Sequence, residues 1–131
     1  MRRAVIDTNV LISFLEKGHP VAQLLSGFDR LVVPAPVDAE FRAVLNLSTK
    51  SGRAKSTLLD ELLADESVEY VALGRSESRK YAEIFKYLKG QGTPIPSNDI
   101  WIASVALLRD ATLVTMDEHF RCIPLLDMLT L

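Results

Sequence analysis

Short apolar runs rich in β-branched residues alternate along this chain with longer stretches of helical period. AVID (4–7), RLVVP (30–34), VEYVAL (68–73) and ATLVTM (111–116) read as strands, and CIPLL (122–126) as a short last one. Between them the spacing predicts a helix over TNVLISFLEK (8–17) stopped by Gly18, and a second over HPVAQLLSG (19–27) with Pro20 in its first turn. Further helices are expected at VDAEFRAVLNLS (37–48), AKSTLLDELLAD (54–65), SESRKYAEIFKYLKG (76–90) and NDIWIASVALLRD (98–110). GQGTPIPS (90–97), with two glycines and two prolines, is the clearest loop. Strands alternating with helices imply an α/β fold around a mainly parallel sheet. Ligands of such sheets bind beyond the carboxyl ends of the strands.

Composition narrows the class. The 131 residues are 48% apolar and 24% charged, the balance of one globular domain spanning 1–131. No apolar run approaches the roughly 20 residues of a membrane span. Asp7 interrupts the first apolar run before it could form a signal peptide, so a cytoplasmic protein is expected. A single cysteine, Cys122, allows neither an internal disulfide nor a Cys-rich zinc site, and reads as a packed small hydrophobe.

The net charge of −2 argues against a polyanionic partner until its distribution is considered. No acid occurs from Phe41 to Leu59, where Arg42, Lys50, Arg53 and Lys55 stand. Arg75, Arg79, Lys80, Lys86 and Lys89 form a second basic group, interrupted by Glu77 and Glu83. These runs permit a phosphate-binding rim, with Lys50, Arg53 and Lys55 as its candidates, and solvated helix faces are the ordinary reading of them.

Four acids carry the chemistry. Asp7 follows the first strand and Asp117 follows TLVTM in the same manner, so both belong to the carboxyl edge of the sheet. Each also has an ordinary role, as helix cap or turn residue. Glu40 shares a helical stripe with Val37, Phe41 and Val44, whereas Asp38 and Arg42 point away. Asp99 lies in a first helical turn, where the helix dipole favours an acid, on a row with Ile102, Ala103 and Ala106. Inward-facing carboxylates need partners. Four at one place would repel one another unless a cation joined them, and oxygen-only ligands suit Mg²⁺ or Mn²⁺.

Other chemistries find no support. There is no G-x-S-x-G, and nothing places a histidine beside Cys122 or a serine. GQGTPI lacks the third glycine of a dinucleotide fingerprint, and no Walker-type loop occurs. A phosphatase with an aspartate nucleophile would usually want a second acid at position 9, where Asn9 stands. A phosphoacceptor domain would usually have paired acids after strand one and a lysine near the end of the last strand, and neither is present.

VIDTNVLI, the glutamate of VPAPVDAEF, GTPIPSNDIWIASVAL and LVTMDEHF, in that order, resemble the PIN-domain family, specifically its VapC-like ribonuclease toxins. The resemblance implies a three-layer α/β/α sandwich and a metal-dependent endoribonuclease of a toxin–antitoxin pair. Its acids map onto Asp7, Glu40, Asp99 and Asp117, with Thr115 and Asn9 as supporting groups. It further implies an RNA substrate, a homodimer, and an antitoxin whose C-terminal segment covers the acids. FRAVLNLS after Glu40 departs from the Leu-rich, Gly-containing continuation common in such chains. A non-catalytic module of the same fold is the other reading, and the presence of all four acids favours the nuclease. His119 and His19 are expected as surface and helix-start residues, and Trp101 in core or dimer packing.

Overall fold

The structure, a computed structural model, describes residues 1–16 and 19–131; the expected stop at Gly18 lies outside the described residues. β1 (Arg3–Ile6), β2 (Arg30–Pro34), β3 (Val68–Val71), β4 (Thr112–Thr115) and β5 (Met128–Thr130) form one sheet in the order β3-β2-β1-β4-β5. Every pairing is parallel. The strand order reverses beside β1, whose neighbours are β2 and β4, so a crevice at their carboxyl ends is the expected ligand site.

Successive strand residues face opposite sides of a sheet, yet Ala4, Val5, Ile6, Val32, Val33, Leu113 and Val114 are all fully buried. Both faces are therefore covered, as parallel sheets require. The covering helices are α1 (Thr8–Phe14), α2 (Val21–Leu25), α3 (Ala35–Ala43), α4 (Lys50–Ala64), α5 (Arg75–Gln91) and α6 (Ser97–Leu108). The most apolar, α6, buries Ile100, Ile102, Ala103, Ser104, Val105 and Ala106. Its alanines bring it close to β1 and β4. The Ser104 hydroxyl stays satisfied by donating to the Ile100 carbonyl at 2.7 Å.

The element types match the sequence pattern; several ends do not. α4 begins at Lys50 rather than 54, because the Thr49 hydroxyl caps it by accepting from the Gly52 N–H at 3.0 Å. Only glycine fits there, since a Cβ at position 52 would lie 2.0 Å from the Asn46 carbonyl oxygen. α5 runs through Gly90 and stops at Gly92, whose φ of 71° lets the Thr93 N–H reach back to the Leu88 carbonyl at 3.0 Å. α3 starts earlier and ends at Ala43, which leaves Val44 73% exposed rather than on the buried stripe. The last strand is not CIPLL. That segment leaves a 3₁₀ turn (Glu118–Cys122) and passes Pro124 and the fully exposed Leu125 at φ 66°, and pairing with β4 resumes only at Met128.

One buried acid lies apart from the strand ends. Glu77 in the first turn of α5 is 7% exposed, and its carboxylate faces the Arg109 guanidinium at 3.4 Å and accepts from the Gly74 N–H at 3.2 Å. Burial pushes its pKa up, but the backbone N–H groups and Arg109 outweigh this and hold it below the ordinary glutamate value. It serves the docking of α5 on the body of the fold.

Candidate active site

The carboxyl ends of β1 and β4 meet through one hydroxyl. Thr115, fully buried as the last residue of β4, donates to Asp7 Oδ2 at 2.7 Å and accepts from the Asp117 N–H at 3.0 Å. The Asp7 N–H in turn donates to the Val114 carbonyl at 3.0 Å. Two strand ends more than a hundred residues apart in sequence are thus tied into one platform. Asp7 is 8% exposed, and its other oxygen caps α1 by accepting from the Thr8 N–H at 2.8 Å. It fills the ordinary cap role and the cluster role together.

Glu40 comes in from α3, on the stripe anchored by the buried Val37 and Phe41. Its carboxylate accepts from the Thr8 hydroxyl at 3.2 Å. Asp38 and Arg42 turn away as expected and pair with each other at 2.8 Å, Arg42 reaching on to Asp60 at 2.7 Å. Asp99, in the first turn of α6, faces the same space. Burial raises its pKa, the negative charge of Asp7 raises it further, and Glu40 adds a smaller push; His119 opposes them. Asp99 therefore feels the charge of both Asp7 and Glu40.

Asp117 stands at the rim, its side chain 48% exposed, and is joined to the cluster by His119. The imidazole bridges two carboxylates, Nε2 to Asp99 Oδ2 at 2.7 Å and Nδ1 to Asp117 Oδ1 at 2.8 Å. Among the described residues no Lys or Arg pairs with any of the four acids, and His119 is the one basic side chain against them. The side chain expected at the surface is a member of the site. Its signal in the sequence was its place two residues after Asp117, on a turn too short to carry it away.

Asn9 is exposed and, among the described residues, its side chain hydrogen-bonds to none of the acids; Thr8, one residue earlier, makes the bond from α1 to Glu40. Lys50, Arg53 and Lys55 do not form one strip. Arg53 donates to the Leu47 carbonyl at 3.1 Å, and Lys55, about 200° around the helix from it, lines an apolar groove with Ile12, Leu15 and Phe41. Trp101 is half-buried against Tyr81, their ring centroids 4.3 Å apart. Among the described residues no three His, Cys, Asp or Glu side chains close into a ready-made metal cage. The donor chemistry nonetheless fits a hard cation: the carboxylates of Asp7, Glu40 and Asp99, two hydroxyls, and, among the described residues, no Lys or Arg paired with them.

His119→Ala is expected to destabilise the metal-free protein by about 1 kcal/mol, since it removes a hydrogen bond to Asp99 made by a one-third exposed ring. Calorimetry in EDTA checks this. A melting temperature equal to that of wild type would show that the imidazole does not hold the two acids.

Residues 4–124 match the family model for the PIN domain. Ribonuclease VapC5 of Mycobacterium tuberculosis is 32% identical over 117 residues, which cover 88% of this chain and 84% of that protein. Ribonuclease VapC1 of Haemophilus influenzae strain R2866 is 34% identical over 117 residues, 85% of this chain and 84% of that one. The crystal structure of VapBC-5 from Mycobacterium tuberculosis, a member of the VapBC family of toxin–antitoxin systems, superposes with a TM-score of 0.76 at 27% identity and covers 100% of both chains.

Proposed function

The chain belongs to the PIN-domain family, and from that premise we propose that it is the endoribonuclease toxin of a toxin–antitoxin pair, acting through its four acids on RNA phosphodiester bonds. The observation that carries the reading is the joining of the β1 and β4 ends through Thr115 and Asp7 at the switch point of the sheet, with Glu40 bonded to Thr8 beside them and, among the described residues, no Lys or Arg paired with these acids. Supporting it, the relatives that match most of this chain are ribonucleases by name.

Asp7, Glu40, Asp99 and Asp117 would hold the cation, Mg²⁺ or Mn²⁺. When bound, it supplies Lewis-acid charge to a phosphodiester oxygen and acidifies a water. The remaining work falls to the protein. Thr115 keeps Asp7 and the Asp117 backbone in register, and Thr8 keeps Glu40 turned toward Asp7. Val37, Phe41 and the buried face of α6 hold the two helices that deliver Glu40 and Asp99. No side chain is needed as a nucleophile.

The partner is an antitoxin, and the toxin works as a homodimer of single PIN domains. A cavity of about 420 Å³ where α1, α3 and α4 meet, lined by Ile12, Leu15, Phe41, Val44 and Leu58, offers that antitoxin an apolar seat beyond the acids. No helix among the described residues is long and apolar enough to cross a membrane.

The test is cleavage of a mixed RNA pool by purified protein with Mn²⁺, with Mg²⁺ and with EDTA. Cutting is expected with either metal and should cease in EDTA. Cutting undiminished by EDTA would overturn the metal-dependent reading, and binding without cutting in any condition would favour the non-catalytic module.

A further inference from the structure

The loop that delivers Asp99 also closes a small cavity. Phe85, Leu88 and Lys89 from the last turns of α5, Pro94 and Ile95 from the loop, and Ile100 from α6 enclose about 230 Å³. That is below the roughly 300–1,000 Å³ of pockets for drug-sized ligands, and suits a single planar ring. Its walls are preformed. Gly92 caps α5, the Thr93 N–H is bonded to the Leu88 carbonyl, and the Pro96 carbonyl accepts from the N–H groups of Asp99 and Ile100.

Its chemistry is selective. Lys89 is the one charged residue of the lining, and no acid belongs to it. Phe85 is 46% exposed, so part of its ring is open to a ligand. The ring is buttressed from behind: Phe85 lies nearly parallel to Tyr81 (11°, centroids 6.2 Å apart), and Tyr81 packs on Trp101. The Tyr81 hydroxyl is tied to the Ser97 hydroxyl at 2.7 Å, two residues before Asp99. An aromatic platform, an adjoining slot and a lysine thus stand beside the helix turn that carries an acid of the cluster.

We propose that this cavity is a nucleobase subsite, in which an unpaired base of single-stranded RNA stacks on Phe85 while Lys89 meets the neighbouring phosphate. Stacking on a fixed aromatic ring with a basic side chain alongside is how single strands are held without base pairing. The proposal rests on the ribonuclease reading and adds where the strand lies: from the acids over the 92–96 loop onto α5. Lys89 stands in a lining that holds no acid, which leaves its charge for a phosphate and favours RNA as the occupant.

The experiment measures binding of a fluorescent ten-nucleotide RNA pool in EDTA, and steady-state cleavage in Mn²⁺, for wild type, Phe85→Ala, Phe85→Trp, Lys89→Ala and Leu125→Ala. Phe85→Ala and Lys89→Ala should each raise Kd about tenfold, with the loss in cleavage falling in KM. Phe85→Trp should restore binding, and Leu125→Ala, on an exposed turn outside the lining of this cavity, should match wild type. Affinities of Phe85→Ala and Lys89→Ala within twofold of a wild type that binds and cuts would overturn the subsite alone. A wild type that neither binds nor cuts RNA would overturn the ribonuclease reading and the subsite with it. A change in the sedimentation of RNA-free Phe85→Ala would assign the face to a protein contact and also overturn the proposal.

Discussion

Asp99→Asn is expected to reduce RNA cleavage on the order of a thousandfold, because it removes one carboxylate from a cation whose charge supplies several kcal/mol at about 1.4 kcal/mol per factor of ten. Asp7→Asn should lose as much. The two variants should differ in their stability without metal. Burial and the charge of Asp7 raise the Asp99 pKa, so the native state holds the Asp99 proton more tightly than the unfolded chain does. A raised carboxylate pKa favours folding at low pH, and that contribution is lost as pH climbs from the ordinary aspartate range through the raised value. At neutral pH the ionised Asp99 is a cost, and Asp99→Asn relieves it. Metal-free Asp99→Asn should therefore melt at or above the wild-type temperature at pH 7, and the advantage should fade toward pH 4. Asp7→Asn disturbs the cap of α1 and the bond from Thr115, and should gain nothing. Calorimetry in EDTA across pH, beside the cleavage assay, checks both. Wild-type cleavage in either folded variant would remove these acids from the site.

Phe120→Ala should destabilise the protein by about 3–5 kcal/mol, a large share of the 5–15 kcal/mol typical of a native domain. Phe120 is fully buried in the 3₁₀ turn that follows Asp117, its ring beside that of His119 at 4.8 Å. It is the weight that holds this turn against the sheet. Without it, Asp117 and His119 lose their seat as well as the core losing a ring. Urea unfolding should show the full loss, and cleavage should fall at temperatures where the variant is still folded. A change below about 1 kcal/mol would mean that the turn does not depend on this anchor.

What the sequence by itself determined is local: the kind of each element, and which acids fall at strand ends or on inward helix stripes. Asp7 and Asp117 were legible because each closes a β-branched run, and Glu40 because helical periodicity places it beside Val37 and Phe41. Asp99 was legible from its row with Ile102 and Ala103. Hydrophobic period and turn chemistry act over a few residues, so a single chain records them. The last strand was misplaced for the same reason: CIPLL has the apolar content of a strand, while the segment that pairs, Met128–Thr130, is a half-exposed edge with little pattern.

Tertiary structure alone decided which ends meet. β4 lies beside β1 and not beside β3, and that choice puts the Thr115 hydroxyl on Asp7 across 108 positions of sequence. The same docking makes Thr8, not Asn9, the neighbour of Glu40, and turns His119 from a surface residue into the bridge between Asp99 and Asp117. It also breaks up the basic run of α4, since Lys50, Arg53 and Lys55 are close in sequence but spread around a helix whose buried side is set by its neighbours. Strand order and helix docking are fixed by the burial of many apolar side chains at once, a sum to which no short stretch of sequence holds the answer.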